Sequence, residues 1–544
     1  MKKHFKMAKN IFKTLTEKDK QYLKALYYDE NITHREKTDI LTKKYKVNER
    51  TIRTWWKDKM NLSATYSKLP YQLKLAQDRQ IEKDTDILLV TSAQNKTGVN
   101  LKFLTNLKKY RDFLNDKGLK AQIIITPSRY RNPTSPAEET EAKKKNEEWW
   151  RDEVTEFLHY GKRQFGDTLI SSDSRVRPTA KEPLQGYEVL AKDNNLIIPH
   201  PKIHFRTLPR FKNKPLRVMC TTGFITYKNY SDSKAGDQAF ENHSMGFVVI
   251  EKKKDGVCHV PRNVKVTSDG DFVDLIYHVT DEGISTIDYS EGFVWGDIHA
   301  RVLNIRVMEA TFELLKLLKP KSQILHDTLD GSSFNPHEKK DMFIQRQKII
   351  NGQHLVEEEV EEALNVINLI DNEVEDCQTY VSISNHDVFL DRYINDENWK
   401  RDLHNSPAFL KYAYIQQTVN LNDYGCIFGY LVNERFGDTV QYLNFGESLD
   451  ICGYECASHG DFGVNGAKGS VKSFSHLNTK MIHAHGHSPT IHNGVTMVGV
   501  TSLLEQYYNR RGLSSWAYAH SVIHPTCKNQ LLVFGDDFKI SGLI

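Results

Sequence analysis

Apolar residues recur at helical spacing in the first sixty residues. Apolar runs read as strands through the middle of the chain. From about residue 285 they shorten, and each ends in a polar cluster. In the head, "LTEKDKQYLKALYYDE" carries Tyr22, Leu23, Leu26 and Tyr27 at helical spacing, followed by "HREKTDILTKKYKV" and "NERTIRTWWKDKM". Asn48 is placed to cap the last of these helices. Two short helices joined by "YKVN" suit a helix-turn-helix, with Ile52 and one of Trp55 or Trp56 inward and Arg50, Thr51, Arg53 and Lys57 toward a nucleic-acid groove; an ordinary helical bundle is the alternative. "NLSATYSKLPYQLKLAQDRQIEKDT" reads as a linker. The succession "DILLVTSA", "NLKFLTNLKKYRDFLNDKG" and "AQIIITPS" then predicts strand, helix, strand. The charged stretch from Pro136 to Arg163 predicts helix, and "LRVMCTTGFITY", "MGFVVIEKK" and "FVDLIYHV" predict strands.

Beyond residue 285 the runs are "GFVWGDIHAR", "KSQILHDTLDG", "TYVSISNHD", "YECASHGD" and "KMIHAHGHSP". A helix with Ile305, Met308, Phe312 and Leu315 on one stripe follows the first, and a helical insert over 337–372 precedes the third. The expected fold class is therefore α/β, divided as a basic helical head and linker over 1–80, a mixed α/β domain over 81–280 and a further α/β domain over 281–544.

Charge sharpens this division. The first 80 residues hold 20 Lys and Arg against 9 Asp and Glu, a formal +11, which leaves −7 on the other 464. A basic head on a mildly acidic body suggests a polyanion-binding module attached to something else. No apolar run approaches the 18 residues of a membrane span, and the basic start lacks the apolar stretch of a secretory signal. The seven cysteines are scattered without a C-x-x-C, which argues for a cytoplasmic setting and against a disulfide framework or thiolate zinc site. Neither a Walker loop nor a G-x-G-x-x-G motif occurs.

The polar clusters contain Asp297 and His299; Asp327 with Asp330; Asn385, His386 and Asp387; His459; and His485 with His487. Sites in open α/β sheets form at the carboxyl ends of strands, where these residues fall. Carboxylate, imidazole and amide donors without thiolate suit Mn, Fe or Zn. In this order, D-x-H, D-x-x-D, N-H-D, a lone H before G, and H-x-H, residues 285–510 resemble the calcineurin-like metallophosphoesterase family. That resemblance implies an αββα sandwich for 281–544 and two divalent ions, manganese first with iron, zinc or magnesium as alternatives. It implies Asp297, His299 and His487 on one ion, Asn385, His459 and His485 on the other, and Asp327 bridging both. His386 would act at the phosphate as general acid or stabiliser, oriented by Asp387, and Asp330 would steady the bridge region. His483 reads as packed or supporting. The family usually has glycine where this chain has His326, Ser384 and Ala484, and a small hydroxyl residue often stands at Gly486.

With the basic head, the resemblance implies a metal-dependent DNase. The chain is similar to the SbcD-type break-processing nucleases and, in its added N-terminal region, to phage-encoded nucleases that degrade host DNA. The expected partner is DNA, with no membrane, with assembly into a homo-oligomer left open, and in the host bacterial cytoplasm if phage-encoded. The competing readings are a phosphomonoesterase or protein phosphatase, RNA cleavage, and a DNA-binding regulator with a vestigial phosphoesterase domain. Intact ligand-type residues argue against the last. For the Gly-rich segment with Lys468, a surface loop is the plainer reading than a phosphate contact. Core packing is likewise plainer than base stacking for the Trp55–Trp56 and Trp149–Trp150 pairs. His326 and His337 are candidate substrate contacts.

Overall fold

The structure, a computed structural model, describes residues 12, 14–28, 34–56, 70–130 and 148–544, apart from positions 175, 336, 337, 339, 340, 478, 507, 508 and 510. Lys57, His337 and the first part of the charged stretch, residues 136–147, lie outside the described residues. In the rest of that stretch, Asp152–Thr155 is helical, but Lys162–Phe165 is an edge strand rather than a continuation of helix. The chain divides into two compact units, Met1–Leu75 and Ala76–Ile544.

The first unit contains the helices Glu17–Tyr28, His34–Tyr45 and Glu49–Thr54. Lys46, at a φ of 51°, turns the chain before the third helix. Asn48 caps that helix by accepting from the Thr51 N–H at 2.8 Å. Leu23, Leu41, Ile52, Trp55 and Trp56 are buried together. Both tryptophans face the core, where only one was expected, because the backbone winds wider over residues 55–56 and carries both indoles inward. Arg50 and Arg53 stay exposed, and Arg53 pairs with Glu49 one turn earlier. The region read as a linker holds the helix Tyr71–Asp78.

In the second unit, the expected strand–helix–strand appears as Ile87–Gln94, Leu101–Asp116 and Ala121–Ser128, the strands parallel. Gly246–Glu251 and Arg262–Lys265 complete a four-stranded sheet. "FVDLIYHV" forms two strands, Phe272–Asp274 and Tyr277–Val279, turning at Leu275 with φ 57°. A six-stranded sheet is ordered Val440–Leu443, Gln378–Ser382, Ser322–His326, Gly292–Val294, Ala519–Ile523, Asn529–Val533, its first four strands parallel. The helices Ile305–Leu318 and Val356–Asp371 pack their apolar stripes on one of its faces. In the first of these helices the buried stripe is Val307, Met308, Thr311, Leu314, Leu315 and Leu318, while Ile305 in the opening turn points outward.

Against the other face lies a ten-stranded sheet, joined to the first through Val294, Ile324, Tyr454, Ile482 and Val498. This sheet runs from Asp450–Ile451 through Lys480–His483, Val495–Met497 and Thr490–His492. It continues through Phe205–Thr207 and Val218–Thr221 to Lys162–Phe165. The seam pairs Ile491 with Phe205 and Thr490 with Arg206, so residues on both sides of the expected 280/281 boundary share one sheet and one compact unit. No helix among the described residues is long and apolar enough to cross a membrane.

Candidate metal centre

Three adjacent parallel strands deliver the first residues of the centre. Gly292–Val294 leads to Asp297 and His299, Ser322–His326 to Asp327, and Gln378–Ser382 to Asn385, His386 and Asp387. The facing sheet delivers His459 after Tyr454–Glu455, and His485 and His487 after Lys480–His483. The two sheets thus aim their strand ends at one place.

The local backbone is unusual there. Asp327, His299, His485 and His487 have φ of 47°, 46°, 68° and 58°. Left-handed conformations are costly for residues with a Cβ and concentrate at functional sites. Each chain turns sharply just as its strand ends, and this swings the side chains of alternating residues toward a common point. Gly296, just before Asp297, lets neighbouring backbone pass close by: a Cβ there would lie 2.7 Å from the Ala519 carbonyl oxygen.

Asp297, His299, Asp327 and His487 bring donor atoms within 4.8 Å of one another, and so do Asp327, His459 and His485. The groups meet at Asp327. Its Oδ2 lies 3.7 Å from His299 Nε2 and 3.3 Å from His459 Nε2. His487 Nε2 lies 2.8 Å from Asp297 Oδ2. Asn385 stands in the turn before His386 with its Oδ1 buried and without a hydrogen-bond partner, as are Asp327 Oδ1 and His459 Nδ1. Buried acceptors left unsatisfied are costly. A cluster of them with imidazole and carboxylate chemistry fits divalent cations.

Electrostatics agree with a cation site. Burial works against charge on His299 and His459, but Asp330, Asp327 and Asp297 outweigh it at His299, raising it to about 9, and Asp327, Asp297 and Asp461 outweigh it at His459, raising it to about 10. Burial also opposes the charge of Asp297, yet His487 and His459 hold it down at about 2. This concentration of negative charge attracts protons when no metal is bound, and metal must displace them.

Around the donors stand the groups that orient them. Asp330 Oδ1 lies 3.3 Å from His299 Nδ1, and the Asp330 carbonyl accepts from His386 Nδ1 at 2.6 Å. Asp387 does not orient His386. Its carboxylate turns back to accept from the Ser384 N–H at 3.0 Å and the Tyr442 hydroxyl at 2.8 Å, closing the 384–387 turn. Burial, then the nearby charge of Asp327, pushes Asp387 up to about 7. His483 is buried against Phe474, with its Nδ1 3.0 Å from the Ala484 carbonyl oxygen, and is packed rather than open. His326 is wholly buried behind His459, ring to ring 5.6 Å, and cannot reach a substrate in solvent.

Several supporting residues carry no local motif. The His487 ring meets Trp516 edge-on at 4.1 Å. His520 Nδ1 accepts from the Gly296 N–H at 2.9 Å and its Nε2 pairs with Thr311 Oγ1, pinning the loop that carries Asp297. A histidine inside the apolar strand "AHSVI" was the one available signal for the latter. Arg50, Thr51 and Arg53 belong to the other unit. Thr51 is engaged at the helix cap, donating its hydroxyl to Asn48 Oδ1 at 2.9 Å.

Compared with known proteins, the chain is 29% identical over 472 residues to Protein A1 of Escherichia phage T5, spanning 82% of this chain and 81% of that protein. It therefore has a phage relative along most of its length. No family profile matches the chain, and no solved structure matches it.

Proposed function

We propose that the chain is a metal-dependent phosphodiesterase acting on DNA, of the calcineurin-like metallophosphoesterase type. The observation that carries this reading is the meeting of two buried donor groups at Asp327. When bound, a pair of divalent ions supplies Lewis acidity to a phosphoryl oxygen and lowers the pKa of water. Asp297, His299 and His487 would hold one, Asn385, His459 and His485 the other, with Asp327 shared; manganese is the first expectation.

The chain's own contribution is positional and protonic. His386 commits its Nδ1 proton to the Asp330 carbonyl, so Nε2 is the atom left for a phosphoryl oxygen or a leaving alkoxide. The Asp330 carboxylate steadies His299, so one residue sets both rings, one through its main chain and one through its side chain. DNA is favoured as substrate by the +11 head and by the exposed Arg50 and Arg53 on a capped short helix. A phosphomonoesterase is the second reading, because nothing in the donor set alone requires a diester.

Purified full-length protein with Mn²⁺ should hydrolyse linear duplex DNA. Parallel assays on circular duplex, single strands, RNA and a generic aryl phosphate separate the readings. Turnover of the aryl phosphate without any nucleic-acid cleavage would establish the phosphomonoesterase instead.

A further inference from the structure

The strand Lys480–His483 has the metal centre beyond its carboxyl end, and its amino end opens on a different site. A cavity of about 690 Å³ lies there, within the range of roughly 300–1,000 Å³ common for small-ligand sites. Lys202, Lys228, Lys265, Lys480 and Lys528 line it, and Glu241 is the only carboxylate among the described lining residues. None of the five lysines forms an ion pair with a carboxylate among the described residues.

Three of these cations are held close by the fold. Lys480 pairs in register with Tyr454, and the ammonium groups of Lys480 and Lys265 lie 5.3 and 5.7 Å from the Tyr454 ring centroid. The Tyr454 hydroxyl accepts from the Asn529 N–H at 3.4 Å, which fixes the turn bearing Lys528. Lys265 reaches the same turn through the Asn529 side-chain oxygen. Burial, then Lys528 and Lys480, lowers Lys265 to about 7, and burial and Lys480 lower Lys528. Like charges gathered in a concave, partly desolvated place repel one another, and a bound anion removes that cost.

We propose that this cavity is a second, metal-independent binding site for a phosphate-bearing anion, either a free nucleotide or a stretch of nucleic-acid backbone, gripped by Lys265, Lys480 and Lys528. Tyr227, nearly half exposed in the cavity lining, offers a ring against which a base can stack. The inference rests on phosphate recognition alone and holds whatever the metal centre hydrolyses.

The test is calorimetric titration of the full-length protein in EDTA, so that metal-mediated phosphate binding is absent. The probes are ATP and a short oligo(dT). Saturable binding is expected, and Lys480→Gln with Lys528→Gln should weaken it by about tenfold or more while flattening its salt dependence. Lys162→Gln, an exposed lysine on the far edge strand, should leave it unchanged. Equal affinity for both probes identifies a free nucleotide as sufficient, whereas binding of the oligonucleotide alone identifies backbone as the ligand. No saturable binding by the wild type, an unaffected double variant, or an equal loss in Lys162→Gln would overturn the proposal.

Discussion

Asp327 is the residue at which both donor groups converge, so its replacement tests the whole centre. Asp327→Asn keeps size and shape but removes a charge shared by two sites. The fold should persist by circular dichroism while Mn²⁺-dependent hydrolysis disappears. Near-normal activity in that variant would rule out a shared carboxylate. His386→Ala should differ in kind. His386 lies against His299, ring to ring 4.9 Å, but joins neither donor group at Asp327. The rate should fall about 10²–10⁴-fold while elemental analysis still finds the metal; lost metal would make His386 a ligand. The residues of this cluster were legible because donor types fell just after apolar runs. Trp516 and His520 were not: Trp516 meets the His487 ring from a separate loop, and His520 reaches the centre only through Gly296 and Thr311, more than two hundred residues earlier. Asp387 shows the limit of motif reading: its neighbour in sequence is His386, yet its partners are Ser384 and Tyr442.

At the scale of elements, local pattern found the parallel strands and the Leu101–Asp116 crossover, because each is specified by its own periodicity. The ten-stranded sheet could not be read so, since Phe205 meets Ile491 across more than half of the unit. A buried ion network shows how such distant elements are locked. Arg262 grips Asp274 with two 2.7 Å bonds and also pairs with Glu251, while Tyr110 and Gln530 donate to Asp274 at 2.8 and 3.0 Å. Helix, hairpin and last strand meet in it. Arg262→Ala would strand two buried carboxylates and should cost about 3–5 kcal/mol by denaturant titration. The pH dependence has a definite sign. Burial opposes the charge of Asp274, but Arg262 outweighs it and holds the carboxyl below its usual range. Its contribution is therefore fully present above the unfolded value of about 4 and is lost as pH falls through the lower folded value. Removing Arg262 should abolish that acid limb; an unchanged stability–pH profile would show that the network is energetically idle.

For the whole molecule, the question is what the basic head adds to the body that holds the donors. The place to cut follows from the hydrogen bonds near residues 76–79. Arg163 donates to the carbonyls of Gln77 and Arg79, and Arg79 donates to that of Leu158, so removal through residue 80 would damage the body. Truncation should begin the chain at Pro70 instead. If the head binds DNA, its Lys and Arg displace condensed counterions, and affinity falls steeply with salt. The truncated protein should bind DNA more weakly and with a flatter dependence on salt. Turnover of a small aryl phosphate, where the centre accepts one, should change little, because every proposed metal donor lies beyond residue 296. Arg50→Ala should reproduce part of the loss, its side chain being exposed on the helix capped by Asn48. Arg53→Ala also breaks an exposed pair with Glu49, worth at most about 1 kcal/mol, so a larger loss of DNA affinity than of head stability assigns Arg53 to the interface. If instead the head serves assembly, truncation changes the oligomer mass in light scattering and leaves the salt slope of DNA binding as it was.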